Sequence, residues 1–323
     1  MPVYAFVFPG QGSQSPGMGQ DLADAFSSAR EVFQEVDDAL GEHLSKTIFE
    51  GPAESLTSTE NAQPALMAVS MAVVRVLERE GGIDFSQRAT LMAGHSLGEY
   101  SALAAARSFG IAQTARLLRL RGQAMQRAVP AGEGGMAALI GVTPEQAREV
   151  CAEAAIVKVE GEPERREIIE IANDNGGDQI VVSGQIGAID RAIAIAKEKG
   201  IKRAVKLPVS APFHSSLMRP AAEEMAEALA QADIRAPIVP IVANVTAEKV
   251  TSPDTIRDLL VKQVTGTVRW RESVDAMVGM GIDHFVELGA GKVLSGLIRR
   301  IAPEAKTQSV GSVTDIDSFL QSF

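Results

Sequence analysis

The segment Gly94-His95-Ser96-Leu97-Gly98 narrows the folds open to this chain more than any other feature. It fits the pattern G-x-S-x-G, and its surroundings matter as much as the pattern does. Thr90-Leu91-Met92-Ala93 reads as a buried strand entering the turn, and a helix follows from Glu99. A serine on so sharp a turn between strand and helix is held in a strained backbone that lifts its Oγ clear of a sheet. The flanking glycines are needed because a β-carbon there would collide with the turn. The helix aims its free N–H groups and positive dipole end at the same spot. The alternative is a glycine–serine loop without chemistry; the strand before and the helix after favour a nucleophile elbow.

An elbow of this kind belongs to an α/β sheet, and the rest of the chain alternates accordingly. Residues 3–8 form a short apolar strand that ends at Pro9-Gly10-Gln11-Gly12. Helices are predicted around 20–40, from Pro64 to about Glu80, and over 111–129, where Pro130 and Gly132 stop the last one. Beyond Gly132 the order changes. Met136–Gly141 reads as a strand, and Thr143-Pro144-Glu145-Gln146 as a capping box opening a helix to about Ala155. Glu167–Ala172 and Gln179–Ser183 are strands joined through Asn175-Gly176-Gly177. A helix over Ile186–Lys199 and a strand over Ile201–Leu207 complete a β-α-β-β-α-β order, that of a ferredoxin-like lobe. The charge-dense residues 158–167 read as a solvated loop. Strand and helix patterns then resume with a strand over Pro237–Val242, a helix near 254–264 and a strand over Phe285–Leu288. The expected architecture is a large α/β domain, 1–131 and 207–323, with a mostly parallel sheet and a small lobe, 132–206, inserted into it. With aromatics at 4%, Ala, Gly, Val and Ile carry most of the apolar mass, which suits helices packed closely on a sheet.

A serine nucleophile needs a base, most often histidine, and the chain offers four. His43 follows Gly41-Glu42 at a helix end and reads as solvated. His95 adjoins the serine, where the elbow directs it away from Oγ. His284 opens a strand, at an edge or in packing. His214 lies in Pro208-Val209-Ser210-Ala211-Pro212-Phe213-His214, a proline-bracketed loop leaving the lobe, and is the candidate by elimination. No acid stands out as a triad partner, so a Ser–His dyad oriented by a backbone carbonyl is expected. Winding 111–129 at about 100° per residue puts Leu117, Leu118, Leu120, Ala124, Met125 and Ala128 on one apolar arc. Arg116, Arg119 and Arg127 fall opposite, but Arg121 projects from within the arc. A buried guanidinium needs a partner. That partner is either an internal Asp or Glu, or a substrate carboxylate, for which the planar fork of arginine is suited.

The net charge of −10 argues against nucleic-acid binding and against an anionic membrane surface. Apolar runs fall well short of a membrane span, and the strand at 3–8 directly after the start is not a signal peptide. The single cysteine, Cys151, excludes a disulfide framework or cysteine metal site, and the histidine spacing suits no zinc site. Gly10-Gln11-Gly12-Ser13-Gln14-Ser15 misses the last glycine of a dinucleotide fingerprint, and Gly289-Ala290-Gly291-Lys292-Val293 lacks the parts of a P-loop. A cytoplasmic monomer is expected, with no bound cofactor and no metal.

Five segments together resemble the malonyl-CoA:acyl carrier protein transacylases, the acyltransferase family of bacterial-type fatty acid synthesis. They are Phe8-Pro9-Gly10-Gln11-Gly12-Ser13-Gln14, Gly94-His95-Ser96-Leu97-Gly98-Glu99, Arg121-Gly122, Ala211-Pro212-Phe213-His214, and Val261-Lys262-Gln263 before Val268-Arg269-Trp270. The resemblance spans essentially the whole chain and implies roles at the matching positions. Ser96 is then the nucleophile and His214 the general base and acid. Arg121 pairs with the malonyl carboxylate, the N–H groups of Gln11 and Leu97 form the oxyanion hole, and Gln263 orients His214 through its main-chain carbonyl. Phe213 resembles the form of this loop in malonyl-selective relatives. The implied substrates are malonyl-CoA and the phosphopantetheine thiol of an acyl carrier protein. That partner is expected to be acidic, so docking would fall to local basic stretches. One holds five arginines and no acids between Glu99 and Glu133; the other holds Arg191, Lys197, Lys199, Lys202, Arg203 and Lys206. For any one of these residues an ordinary solvated role is equally open. Two rivals remain: a serine hydrolase (esterase or thioesterase) with the same elbow and histidine, and a catalytically silent carrier-protein docking module.

Overall fold

Strand Tyr4–Phe8 sends Phe6 and Phe8 to one face and Ala5 and Val7 to the other, and all four are fully buried. A strand covered on both faces reads as a continuous apolar run, and that is the central strand of a mostly parallel sheet. In the computed structural model, which describes residues 2–158, 160–161, 163–209 and 211–323, this strand pairs in parallel with Ala89–Gly94 on one side and His284–Leu288 on the other. The sheet continues with Lys306–Val310 at one end, and with Ile241–Val242 and the antiparallel Lys249–Val250 at the other. One face packs on Thr59–Arg79 and its neighbours, the other on Trp270, Val274, Leu294 and Ile298. Among the described residues, no helix is long and apolar enough to cross a membrane.

A second sheet of four antiparallel strands holds, in spatial order, Ile169–Asp174, Gln179–Gln185, Gly134–Ile140 and Arg203–Lys206. With helices Pro144–Ala154 and Ile186–Glu198 it forms the ferredoxin-like lobe and has its own apolar core. The capping box forms as read: the Thr143 hydroxyl accepts from the Gln146 N–H and the Gln146 side chain accepts from the Thr143 N–H. The lobe is stitched to the larger sheet domain just beyond Gln263. There the Val268 N–H donates to the Ala172 carbonyl at 2.8 Å and the Asp174 N–H to the Val268 carbonyl at 3.0 Å.

Several elements depart from the sequence reading for physical reasons. The helix expected from Pro64 begins at Thr59, with Pro64 inside it. A proline there removes only the bond to the Glu60 carbonyl, while packing holds the extra turn against Gly122. The helix expected over 20–40 is broken at Phe26, whose backbone is extended. The strand expected over Pro237–Val242 shrinks to Ile241–Val242, because Pro237 and Pro240 have no N–H to give a ladder. In the charged stretch, Arg165–Arg166 pair with Ile156–Val157 as a two-residue ribbon rather than a free loop. Val159 and Glu162 of that stretch, and Ser210 of the loop before His214, lie outside the described residues.

Candidate active site

The elbow forms between strand Ala89–Gly94 and helix Leu97–Ala105, with Ser96 at φ 54° and ψ −110°. For a residue with a side chain this is a strained backbone, kept only where the surroundings enforce it. Close approach supplies the enforcement. A Cβ on Gly98 would strike the Phe8 carbonyl at the end of the central strand, and one on Gly94 would overlap the Gly98 carbonyl. The His95 N–H donates to that same Phe8 carbonyl at 3.1 Å, so the first strand's end and the elbow are one unit.

His214 is buried, also with a positive φ of 56°, on the loop between strand Arg203–Lys206 and a short 3-10 turn, Ser216–Met218. Its Nε2 lies 2.7 Å from Ser96 Oγ and its Nδ1 lies 2.9 Å from the Gln263 carbonyl oxygen. A carbonyl only accepts, so Nδ1 carries the proton and Nε2 is left free to accept from the Ser96 hydroxyl. Burial, and next the positive charge of Arg121, push the imidazole down to about 3, so it rests neutral and able to take a proton.

Arg121 is 1% exposed on helix Ile111–Arg127 and touches no carboxylate among the described residues. Its guanidinium donates to Gln63 Oε1 at 2.7 Å, to Gln263 Oε1 at 2.9 Å and to Ser96 Oγ at 3.2 Å, while its Nε finds no partner. The face of the Tyr100 ring lies 5.7 Å from its central carbon. The internal salt bridge that the sequence left open is absent among the described residues. Gly122 explains how Gln63 comes within reach: a Cβ there would stand 2.6 Å from Glu60 Cα, so only glycine lets the two helices approach this closely.

Gln263, fully buried, ties these groups together. Its main-chain oxygen holds His214 and its Oε1 holds Arg121, while its Nε2 donates to the Ser96 carbonyl at 3.0 Å and to Glu99 Oε2 at 2.8 Å. Asn244 does the same for the elbow backbone. Its Oδ1 accepts from the Ser96 N–H at 2.8 Å, its Nδ2 donates to the Gly94 carbonyl at 2.7 Å, and its own N–H donates to Glu99 Oε2 at 3.0 Å. Burial raises Glu99 to about 7, against the pull of the Asn244 N–H, the Gln263 amide and the Arg121 charge. Gln63, Asn244 and the contacts of Glu99 were missed in the sequence. Only Glu99 stood inside a quoted motif, and nothing local marks the other two.

Leu97 opens its helix, so its N–H has no intrahelical partner. Gln11 sits in the turn after the first strand and accepts from Thr59 Oγ at 3.0 Å; the Thr59 hydroxyl in turn accepts from Gln63 Nε2 at 3.0 Å. The remaining histidines lie elsewhere. His95 turns from Oγ toward Asn175 Oδ1 of the lobe hairpin at 2.9 Å, and burial lowers its pKa. His43 is exposed, and His284 packs tilted against the Tyr4 ring in an interior strand rather than at an edge. Six of the eleven residues in the two basic stretches form ion pairs within the chain. Arg107, Arg119, Arg127, Arg191, Lys199 and Lys206 pair with Glu78, Glu42, Glu224, Glu167, Glu153 and Asp190.

Residues 5–314 match the model of the acyl transferase domain. The chain is 43% identical over 319 residues to the malonyl CoA-acyl carrier protein transacylase of Bacillus subtilis, covering 98% of this chain and 96% of that one. Its backbone matches a crystal structure of acyl-carrier-protein-S-malonyltransferase from Bartonella henselae with a TM-score of 0.94 and 53% identity, over 99% of both chains. A malonyl-transacylase solved in complex with a type II PKS acyl-carrier protein matches with a TM-score of 0.92 and 40% identity, over 99% of this chain and 100% of that one.

Proposed function

The chain belongs to the acyl transferase family, among its malonyl CoA-acyl carrier protein transacylases, and from that premise we propose that Ser96 carries the acyl group between the two substrates. The enzyme transfers malonyl from malonyl-CoA to acyl carrier protein. The observation that carries the residue assignment is the 3.2 Å between Arg121 and Ser96 Oγ, with no acid on the buried guanidinium among the described residues. An acyl carbon bonded to Oγ and a carboxylate held by Arg121 must then be separated by a short spacer, as the single methylene of malonyl provides.

In this reading Ser96 Oγ attacks the thioester carbonyl as His214 Nε2 takes its proton. The N–H groups of Gln11 and Leu97 meet the charge on the carbonyl oxygen, each such donor being worth about 10²–10³ in rate. The C–S bond breaks, the leaving CoA sulfur takes the proton from His214, and malonyl remains as an ester on Ser96. The phosphopantetheine thiol then gives its proton to His214 and attacks the ester. The C–O bond breaks and Ser96 regains the proton, a ping-pong cycle. Acetyl-CoA leaves the guanidinium without its anion, which is the basis for discrimination. Residues 132–206 serve as the lobe walling one side of the site through Asn175 and His95, with 1–131 and 207–323 as the larger domain. We read the enzyme as a cytoplasmic monomer that needs no bound cofactor.

Intact-protein mass after brief exposure to malonyl-CoA tests the assignment. The native chain should gain a malonyl ester, Ser96→Ala should gain none, and carrier protein should discharge the ester faster than water does. Steady CoA release without an ester would instead identify a hydrolase.

A further inference from the structure

We propose that Glu99 is the missing acid of this site, a positioning residue that acts at one remove, through Gln263 and Asn244, and supplies the counter-charge that Arg121 otherwise lacks. The inference rests on the reading of Ser96, His214 and Arg121 given above. In a serine–histidine–acid arrangement the acid bonds the imidazole directly. Here Nδ1 of His214 faces a neutral carbonyl, so whatever balances a forming imidazolium must act from farther away. Glu99 is 3% exposed, forms no ion pair among the described residues, and sits in the first turn of the elbow helix, where the dipole favours a carboxylate. Its Oε2 accepts from the Gln263 side chain and from the Asn244 main chain, the two residues that between them hold Ser96, His214 and Arg121.

The orientation of the Gln263 amide shows what this acceptor does. With Nε2 on Glu99 and on the Ser96 carbonyl, Oε1 faces the Arg121 guanidinium. The flipped amide would set a donor against a donor at Arg121 and an oxygen against the Ser96 carbonyl. The acceptor oxygen Oε2 of Glu99 therefore selects the arrangement in which Arg121 stays aimed at Oγ. The charge matters as well. Arg121 bears on both Glu99 and His214, and His95 bears on His214. Tyr100, the other titratable group at this wall, is pushed up to about 12 by burial and stays neutral. Among the described residues Glu99 is thus the anion placed to offset Arg121 while His214 becomes positive, unless the substrate brings another. Malonyl does and acetyl does not.

Glu99→Gln separates these effects, because its amide oxygen still meets both donors while the charge is gone. Acyl-enzyme formation at saturating substrate should slow with malonyl-CoA and slow about tenfold more with acetyl-CoA, so that discrimination widens. KM for malonyl-CoA should not rise. Glu99→Asp, which restores the charge, should bring the malonyl-to-acetyl ratio back toward the native value. Equal slowing with both substrates, or native rates with both, would overturn the inference. The native enzyme gives a second reading that does not depend on a variant folding. Lowering the pH through 7 protonates Glu99 while His214 remains neutral, so the ratio should rise there; a ratio flat across that range counts against the inference. Native enzyme that gains no malonyl ester at all removes the functional reading, and this inference with it.

Discussion

Two buried charges in the larger domain are satisfied in opposite ways. Glu287, fully buried on an interior strand, accepts from the N–H groups of Leu294 and Ser295 at 3.0 and 2.8 Å, at the start of helix Val293–Ile301. Its demand is met by groups that the helix would otherwise leave unpaired, so the cluster is closed. Arg121 is as deeply buried, yet among the described residues its hydrogen bonds go to the neutral oxygens of two amides and to the nucleophile, the Tyr100 ring lies on its face, and its Nε has no hydrogen-bond partner. A closed cluster holds the fold together. An open one, in a wall built from the elbow, the arginine helix and the His214 loop, keeps part of its bonding capacity for a ligand.

Substitution should pull the two apart. The largest effect is expected for Arg121→Met, which should slow malonyl ester formation by about 10²–10³ while narrowing the gap to acetyl, as loss of a charged partner worth about 3–4 kcal/mol implies. Its melting temperature should change little, since removing a poorly compensated buried cation offsets the loss of donors to the Gln63 and Gln263 amide oxygens. Thermal unfolding alongside acyl-enzyme mass checks both halves, and a large loss of stability would place Arg121 with Glu287 instead. Glu287→Leu should do the reverse. Two helix N–H groups lose their acceptor, costing about 2–3 kcal/mol of stability, while the ester forms at close to the native rate.

The last contrast concerns acid. His214 is held near 3 in the folded chain, below the ordinary histidine value of 6.5. The stability it confers is complete above that ordinary value and is lost as pH falls toward 3, because the unfolded chain takes up a proton the native one refuses. The slope from one such proton is about 1.4 kcal/mol per pH unit. Denaturant titrations between pH 6 and 4 should give His214→Gln a shallower fall than the native protein; parallel curves would mean that the imidazole is not held neutral by its site.

The elbow was legible because its logic is local. Gly94, Ser96 and Gly98 lie within five residues, and the strand and helix beside them follow from short apolar patterns. Arg121 was legible as an anomaly because helical periodicity is local too. The network behind them was not. Glu99 meets Asn244 across 145 positions and Gln263 across 164, and no periodicity links such residues. Pro64 misled for a related reason: its local preference for a first turn lost to the contact between that turn and Gly122.

The sequence by itself determined the strand–turn–helix around Ser96, the order of the lobe's elements, and that a cation would be buried at position 121. Whether that cation would be neutralised within the chain was decided only by the tertiary structure. Burial makes any partner energetically decisive, and which side chains come within hydrogen-bond reach depends on how helices and loops distant in sequence pack. Here the packing delivers the amides of Gln63 and Gln263 to Arg121, with the Glu99 carboxylate on the far end of the Gln263 amide.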